Sequence, residues 1–190
     1  STNNIFYNIQ VPSLAAFPPA YKTVKITKRN EFEVETAVLS QVDDLSEFFD
    51  LYRMEHRWLL ENDAEGAWDN TILASKDYFE YTRNHLLELT KSRFIPSDWP
   101  ENLVSLLSAI SNEELIKWSK MTDEEGMSFL EEKLDSVDLT SNTSAKIIDD
   151  FYLLKNGDEL GKKLIASERI AFYETLFLNT SQQTGTQSGA

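Results

Sequence analysis

The acids between Leu59 and Leu73, in the stretch LLENDAEGAWDNTIL, are spaced as an EF-hand loop would space them. Glu61, Asp63, Glu65 and Asp69 fall at loop positions 1, 3, 5 and 9, and Gly66 falls at position 6. Calcium needs hard oxygen donors at those positions, a glycine for the sharp turn, and a bidentate Glu at position 12 to complete the shell. Position 12 here is Ile72, and Glu61 lengthens the first ligand where Asp is usual. The stretch therefore reads as a solvated acidic loop between two helices, and no metal ligand is assigned in it.

The two histidines, His56 and His85, lack the Glu-x-x-His partner that a carboxylate-bridged metal site in a helical bundle requires. Arg53 and Thr82 stand at the positions three residues before them. His56, on an apolar stripe, reads as a boundary histidine. The chain contains no Gly-x-Ser-x-Gly elbow, no phosphate-binding Walker loop and no Gly-x-Gly-x-x-Gly. Adjacent carboxylates at Asp43-Asp44 and Asp149-Asp150 have the chemistry for acid–base work. With 32 acidic residues, such pairs are expected without a function. Asp149-Asp150 is the more informative pair, because Ile147, Ile148 and Phe151 flank it and bring one of the two toward a buried surface. No catalytic residue, metal ligand or cofactor-binding residue is assigned.

Such residues need elements to position them. At 190 residues and 41% hydrophobic, the chain is long and apolar enough to bury a core. It has no cysteine, which removes disulfides, thiolate zinc sites and cysteine nucleophiles, and fits an intracellular or cytoplasmic protein. No run reaches the roughly 18 to 20 apolar residues of a membrane helix. The net charge of −14 disfavours direct contact with nucleic acid. Residues 1–30 carry Lys22, Lys25, Lys28 and Arg29 and no acid, so subtracting +4 from −14 leaves −18 on the remainder.

Residues 1–21 are uncharged yet hold Ile5, Phe6, Tyr7, Ile9, Val11, Leu14, Phe17 and Tyr21, with prolines at 12, 18 and 19. Proline forbids a continuous helix there. The segment reads as an extended arm that lies on an apolar surface, either its own domain or a partner. Residues 22–38 alternate as a β-hairpin turning near Arg29-Asn30, with Lys25 on the first strand and Glu33 and Glu35 on the second able to pair.

A helical period follows. Leu45, Phe48, Phe49, Tyr52, His56, Leu59 and Leu60 form one stripe, with Asp43 or Asp44 as the N-cap. A second helix is predicted over 75–91, carrying Phe79, Leu86 and Leu89. Asp98 with Glu101 predicts a capping box for a third, whose stripe is Leu103, Leu106, Leu107 and Ile110. Ser111 with Glu114, and Thr122 with Glu125, repeat that pattern ahead of segments holding Leu115, Ile116 and Trp118, then Met127, Leu130 and Leu134. A polar break over 140–144 precedes AKIIDDFYLLKNG, where Gly157 reads as a C-cap, although Asn156-Gly157 could also turn a hairpin. A last helix over 158–178 and a flexible polar tail over 179–190 complete the chain.

The expected fold is mainly α (α+β): an extended apolar arm over 1–21, then one domain over 22–178 made of a small hairpin and five to seven helices. Between Glu113 and Asp138 nine acids oppose three lysines, and Glu124, Glu131, Asp135 and Asp138 fall on one helical face. The expected function is a non-enzymatic protein–protein interaction protein, a structural subunit or assembly chaperone. Its partners are proteins, itself included through the arm, with no membrane and no cofactor. By analogy, small virion or phage components share this build. The alternatives are an acidic inhibitor or DNA mimic using that face on a basic partner, and an enzyme without a familiar motif.

Overall fold

The computed structural model describes residues 8–27, 31–47, 49–62, 67–122, 124–126, 128–129 and 144–186. Its fold is mainly α with one two-stranded antiparallel hairpin near the N-terminus and eight α-helices among those residues. The chain divides into two compact units, residues 1–88 and 89–190.

The first unit opens with a segment whose two ends behave differently. Phe17, Pro18, Pro19 and Ala20 are buried, and the Phe17 ring packs against Phe79 with centroids 5.3 Å apart. The Tyr78 hydroxyl donates to the Leu14 carbonyl at 2.9 Å, which fixes the approach to this plug. Strand β1, Ala20–Ile26, then pairs with β2, Phe32–Val38, in the register Lys22↔Thr36, Val24↔Val34, Lys25↔Glu33 and Ile26↔Phe32. The predicted ion pair forms, Lys25 Nζ lying 3.1 Å from Glu33. The expected turn at Arg29-Asn30 lies outside the described residues.

Helix α1 spans Phe49–Glu61 and α2 spans Tyr78–Leu89, with a short 3-10 turn at Asn70–Ala74. The predicted N-cap of α1 is corrected. Residues 43–47 form turns instead, in which Glu47 N–H donates to the Asp44 carbonyl and Phe49 N–H to Ser46. Asp44 takes a φ of 56°, a left-handed value that Asp tolerates better than most residues. The predicted α1 stripe is also corrected. Phe49 is its single buried member among the described residues, Tyr52 and Leu60 are exposed, and Phe48 lies outside them. Thr82 and Leu86 bury the inner side of α2.

The second unit begins as a π-helical turn, Thr90–Phe94, which runs into α3, Ile95–Asp98. Helices α4, Glu101–Ala109, and α5, Asn112–Trp118, follow. Leu106, Leu107 and Ile110 are buried as predicted, and Leu103 is half-buried. The Ser111–Glu114 capping box is complete, and Thr122 with Glu125 reproduces it, backbone N–H and side chain bonding reciprocally. Asp98 caps nothing. Pro100 begins α4 without a side-chain cap, and the Asp98 carboxylate instead accepts from Ser97 and from the Tyr152 hydroxyl at 2.9 Å. Met127, Leu130 and Leu134 lie outside the described residues.

Helix α6, Lys146–Gly157, supplies much of this core through Ile148, Asp150, Tyr152 and Leu153. Gly157 closes the helix, but the positive φ, 47°, falls one residue later at Asp158. The predicted helix over 158–178 is broken into α7, Glu159–Lys162, and α8, Ser167–Thr186. Leu164 N–H bonds Gly161 and Ile165 N–H bonds Lys162, and these tightened bonds end α7. The expected flexible tail is helical to Thr186, since propagation asks only one further backbone bond per residue.

Candidate functional site

The hairpin presents the most unusual surface. Because side chains alternate across a strand, Val24, Ile26, Phe32 and Val34 share one face, in the pairs Val24↔Val34 and Ile26↔Phe32. These four are 46%, 66%, 60% and 42% exposed, respectively, so the apolar face stands open to solvent. The opposite face carries Thr23, Lys25, Glu33 and Glu35. A stable hairpin normally covers its apolar face, because two strands alone bury too little. Both outer strand edges also lack a paired strand among the described residues. On α1, Leu51, Met54 and Trp58 repeat at three and four residues and are exposed as well. Exposed apolar patches of this kind mark contact surfaces more often than single exposed side chains do.

The predicted arm residues are divided by the structure. Ile9, Val11 and Leu14 are exposed, Tyr21 sits exposed on β1, and Phe17 is buried in its own unit. Ile5, Phe6 and Tyr7 lie outside the described residues. Of the predicted acidic face only Glu124 is described, and it is exposed. Glu131, Asp135 and Asp138 lie outside. Glu125 is held below the ordinary carboxylate range by the Thr122 backbone N–H and then by its hydroxyl.

In the EF-hand-like stretch, Asp69 accepts from the Thr71 N–H at 3.0 Å and from its hydroxyl at 2.7 Å, capping the 3-10 turn. Ile72 is buried. Residues 63–66 lie outside the described set, and among the described residues no three His, Asp or Glu side chains are placed to share an ion. His56 packs against Trp68 at 5.1 Å, and its Nδ1 is buried without a hydrogen-bond partner among the described residues. His85 is exposed and stacks on Tyr81.

The carboxylate pair at 149–150 is divided as its flanks suggest. Asp149 is half-buried and pairs with Lys146 at 3.1 Å. Asp150 is 1% exposed and accepts from Arg169 Nε at 2.6 Å, from Arg169 Nη2 at 3.1 Å and from the Tyr173 hydroxyl at 2.5 Å. Burial, then the bond to Asp150, pushes the Tyr173 hydroxyl far above the ordinary phenol value. Arg169's own hydrogen bonds to Asp150 raise it further. Both carboxylate oxygens are thus engaged by donors of the last helix. Trp99 Nε1, Tyr152 and Asp98 form a second chain, and Lys155 lies over the Tyr152 and Phe151 rings.

One cavity, of about 350 Å³, was not foreseen in the sequence. It lies between the turn at 42–45 and the aromatic edges of α1 and α2. Tyr78, Tyr81 and His85 recur at three and four residues on α2, a spacing that could have disclosed it.

Compared with known proteins, the chain matches no family model and has no significant match to a curated protein or a solved structure. Among the described residues no helix is long and apolar enough to cross a membrane.

Proposed function

We propose that the chain is a non-enzymatic interaction protein, a structural subunit or assembly chaperone, whose contact surface is the hairpin and whose partner is a second copy of itself. The observation that carries this reading is the open apolar face of Val24, Ile26, Phe32 and Val34 on a sheet of two strands. The charges select the partner. Strand β1 carries Lys22 and Lys25, and β2 carries Glu33 and Glu35. Setting β1 of one copy against β2 of the next repeats the Lys25–Glu33 match, keeps every pairing antiparallel and prolongs the apolar strip. Such a contact is heterologous, so successive copies add head to tail.

Light scattering behind a size-exclusion column, over a wide concentration range, tests it. The full chain should grow in mass with concentration. Ile26→Thr combined with Phe32→Thr should remain monomeric with an unchanged far-UV spectrum, because threonine keeps strand preference at exposed sites. A full chain that stays monomeric throughout, or a double variant that associates as before, overturns the proposal.

A further inference from the structure

We infer that the cavity beside α2 is a binding site for an organic cation, an ammonium or guanidinium head group. This goes beyond the hairpin reading and rests on different residues. Phe49, Tyr52, Tyr78 and Tyr81 wall the cavity, and Asp43 and Asp44 stand with them. Among the described residues its lining holds these two carboxylates and His85, and no lysine or arginine.

The rings form a continuous array. Phe49 stacks on Tyr81 at 5.8 Å, and Tyr81 stacks on Tyr78 at 6.2 Å and on His85 at 6.4 Å. Aromatic faces carry negative quadrupole density, and a cation held among several of them, partly out of water, is attracted by each. The molecule shows this preference itself: the Arg53 guanidinium lies 6.0 Å from the Phe49 centroid while bonding Asp50 at 2.7 Å.

The polar groups fit the same ligand. Tyr78 commits its proton to the Leu14 carbonyl, which leaves its oxygen lone pairs to accept. Burial, then the neighbouring phenols of Tyr52 and Tyr78, raise the Tyr81 hydroxyl above the ordinary phenol value. Phenol oxygens and two carboxylates make a set of acceptors for an N–H donor. A bare metal ion is a poorer match, because among the described residues no three His, Asp or Glu side chains converge here. Two sources offer the head group: a free small amine, or a lysine or arginine side chain of a protein partner.

The test is an NMR titration of the full chain, following the tyrosine ring signals. The probes are tert-butylammonium chloride, its neutral analogue tert-butanol, and blocked lysine and arginine amides. Saturable shifts of the Tyr52, Tyr78 and Tyr81 signals are expected with a cation. The affinity should exceed that for tert-butanol by about tenfold, the contribution of a partly desolvated cation–π contact. Tighter binding of tert-butylammonium assigns the site to a free amine, and tighter binding of a blocked lysine or arginine assigns it to a partner's side chain. Tyr52→Leu changes a partly exposed ring and should weaken binding. Asp44→Asn keeps a residue type that accepts positive φ and should weaken binding while the fold is retained. Equal binding of tert-butanol, unchanged affinity in both variants, or no saturable shift with any cation overturns the inference.

Discussion

Asp150 is a buried anion whose three hydrogen bonds come from two residues on the last helix, Arg169 and Tyr173. Replacing Asp150 with Asn leaves the shape nearly unchanged but removes the charge that Arg169 answers. Breaking a buried pair strands the partner's charge. Arg169 keeps 29% of its side chain exposed, so water softens the loss. Asp150→Asn should therefore lower unfolding stability by about 2 to 4 kcal/mol in urea denaturation. Asp149→Asn, in a pair whose Lys146 end is open to water, should cost less, about 1 kcal/mol. Equal small effects would show that the network is not stabilising. The sequence disclosed that one acid of this pair was unusual, because apolar residues flank it on both sides. It could not say which of the two, since neighbouring side chains diverge by about 100° around a helix and the choice falls to distant partners. Those partners lie 19 and 23 residues further on.

At the scale of elements, local signals were readable and long-range ones were not. The Ser111 and Thr122 boxes close within four residues, so spacing alone located them. Asp98 has the same spacing to Glu101, yet Tyr152, 54 residues away, takes its carboxylate. The Ser97 hydroxyl, then that of Tyr152, holds Asp98 below the ordinary carboxylate range. The hairpin was legible from alternation, whereas its bare apolar face was not, because alternation identifies a face without saying what covers it. A second long-range constraint sits at Gly161 on α7. A Cβ there would lie 2.0 Å from the Leu153 carbonyl oxygen, part of the α6 backbone. Backbone cannot swing aside as a side chain can. Gly161→Ala should destabilise by about 2 to 3 kcal/mol in thermal or urea melts, despite alanine's better helix propensity. A stabilised variant would mean that α6 and α7 part readily.

For the whole molecule, charge is the governing quantity. A net −14 over 190 residues favours solvation and opposes compaction through self-repulsion. Exposed ion pairs such as Lys25–Glu33 offset little of it. Raising salt from low ionic strength toward the level at which charges are screened within about 8 Å should increase the melting temperature by about 2 to 4 °C. A falling melting temperature would show that attractive pairs outweigh repulsion. Overall charge was the plainest property of the sequence. The division into two units was not visible there, because no glycine-, proline- or serine-rich linker marks residue 88.

The plug formed by Phe17, Pro18, Pro19 and Ala20 alters how shortened forms of this chain must be read. A deletion through Tyr21 takes away core residues together with the exposed Ile9 and Val11, so any loss of association it produces reports folding and contact at once. A deletion ending at Ser13 spares Leu14, the acceptor of the Tyr78 hydroxyl, and leaves the buried residues in place. Between those two cut points lies the difference between trimming a surface and uncorking a fold.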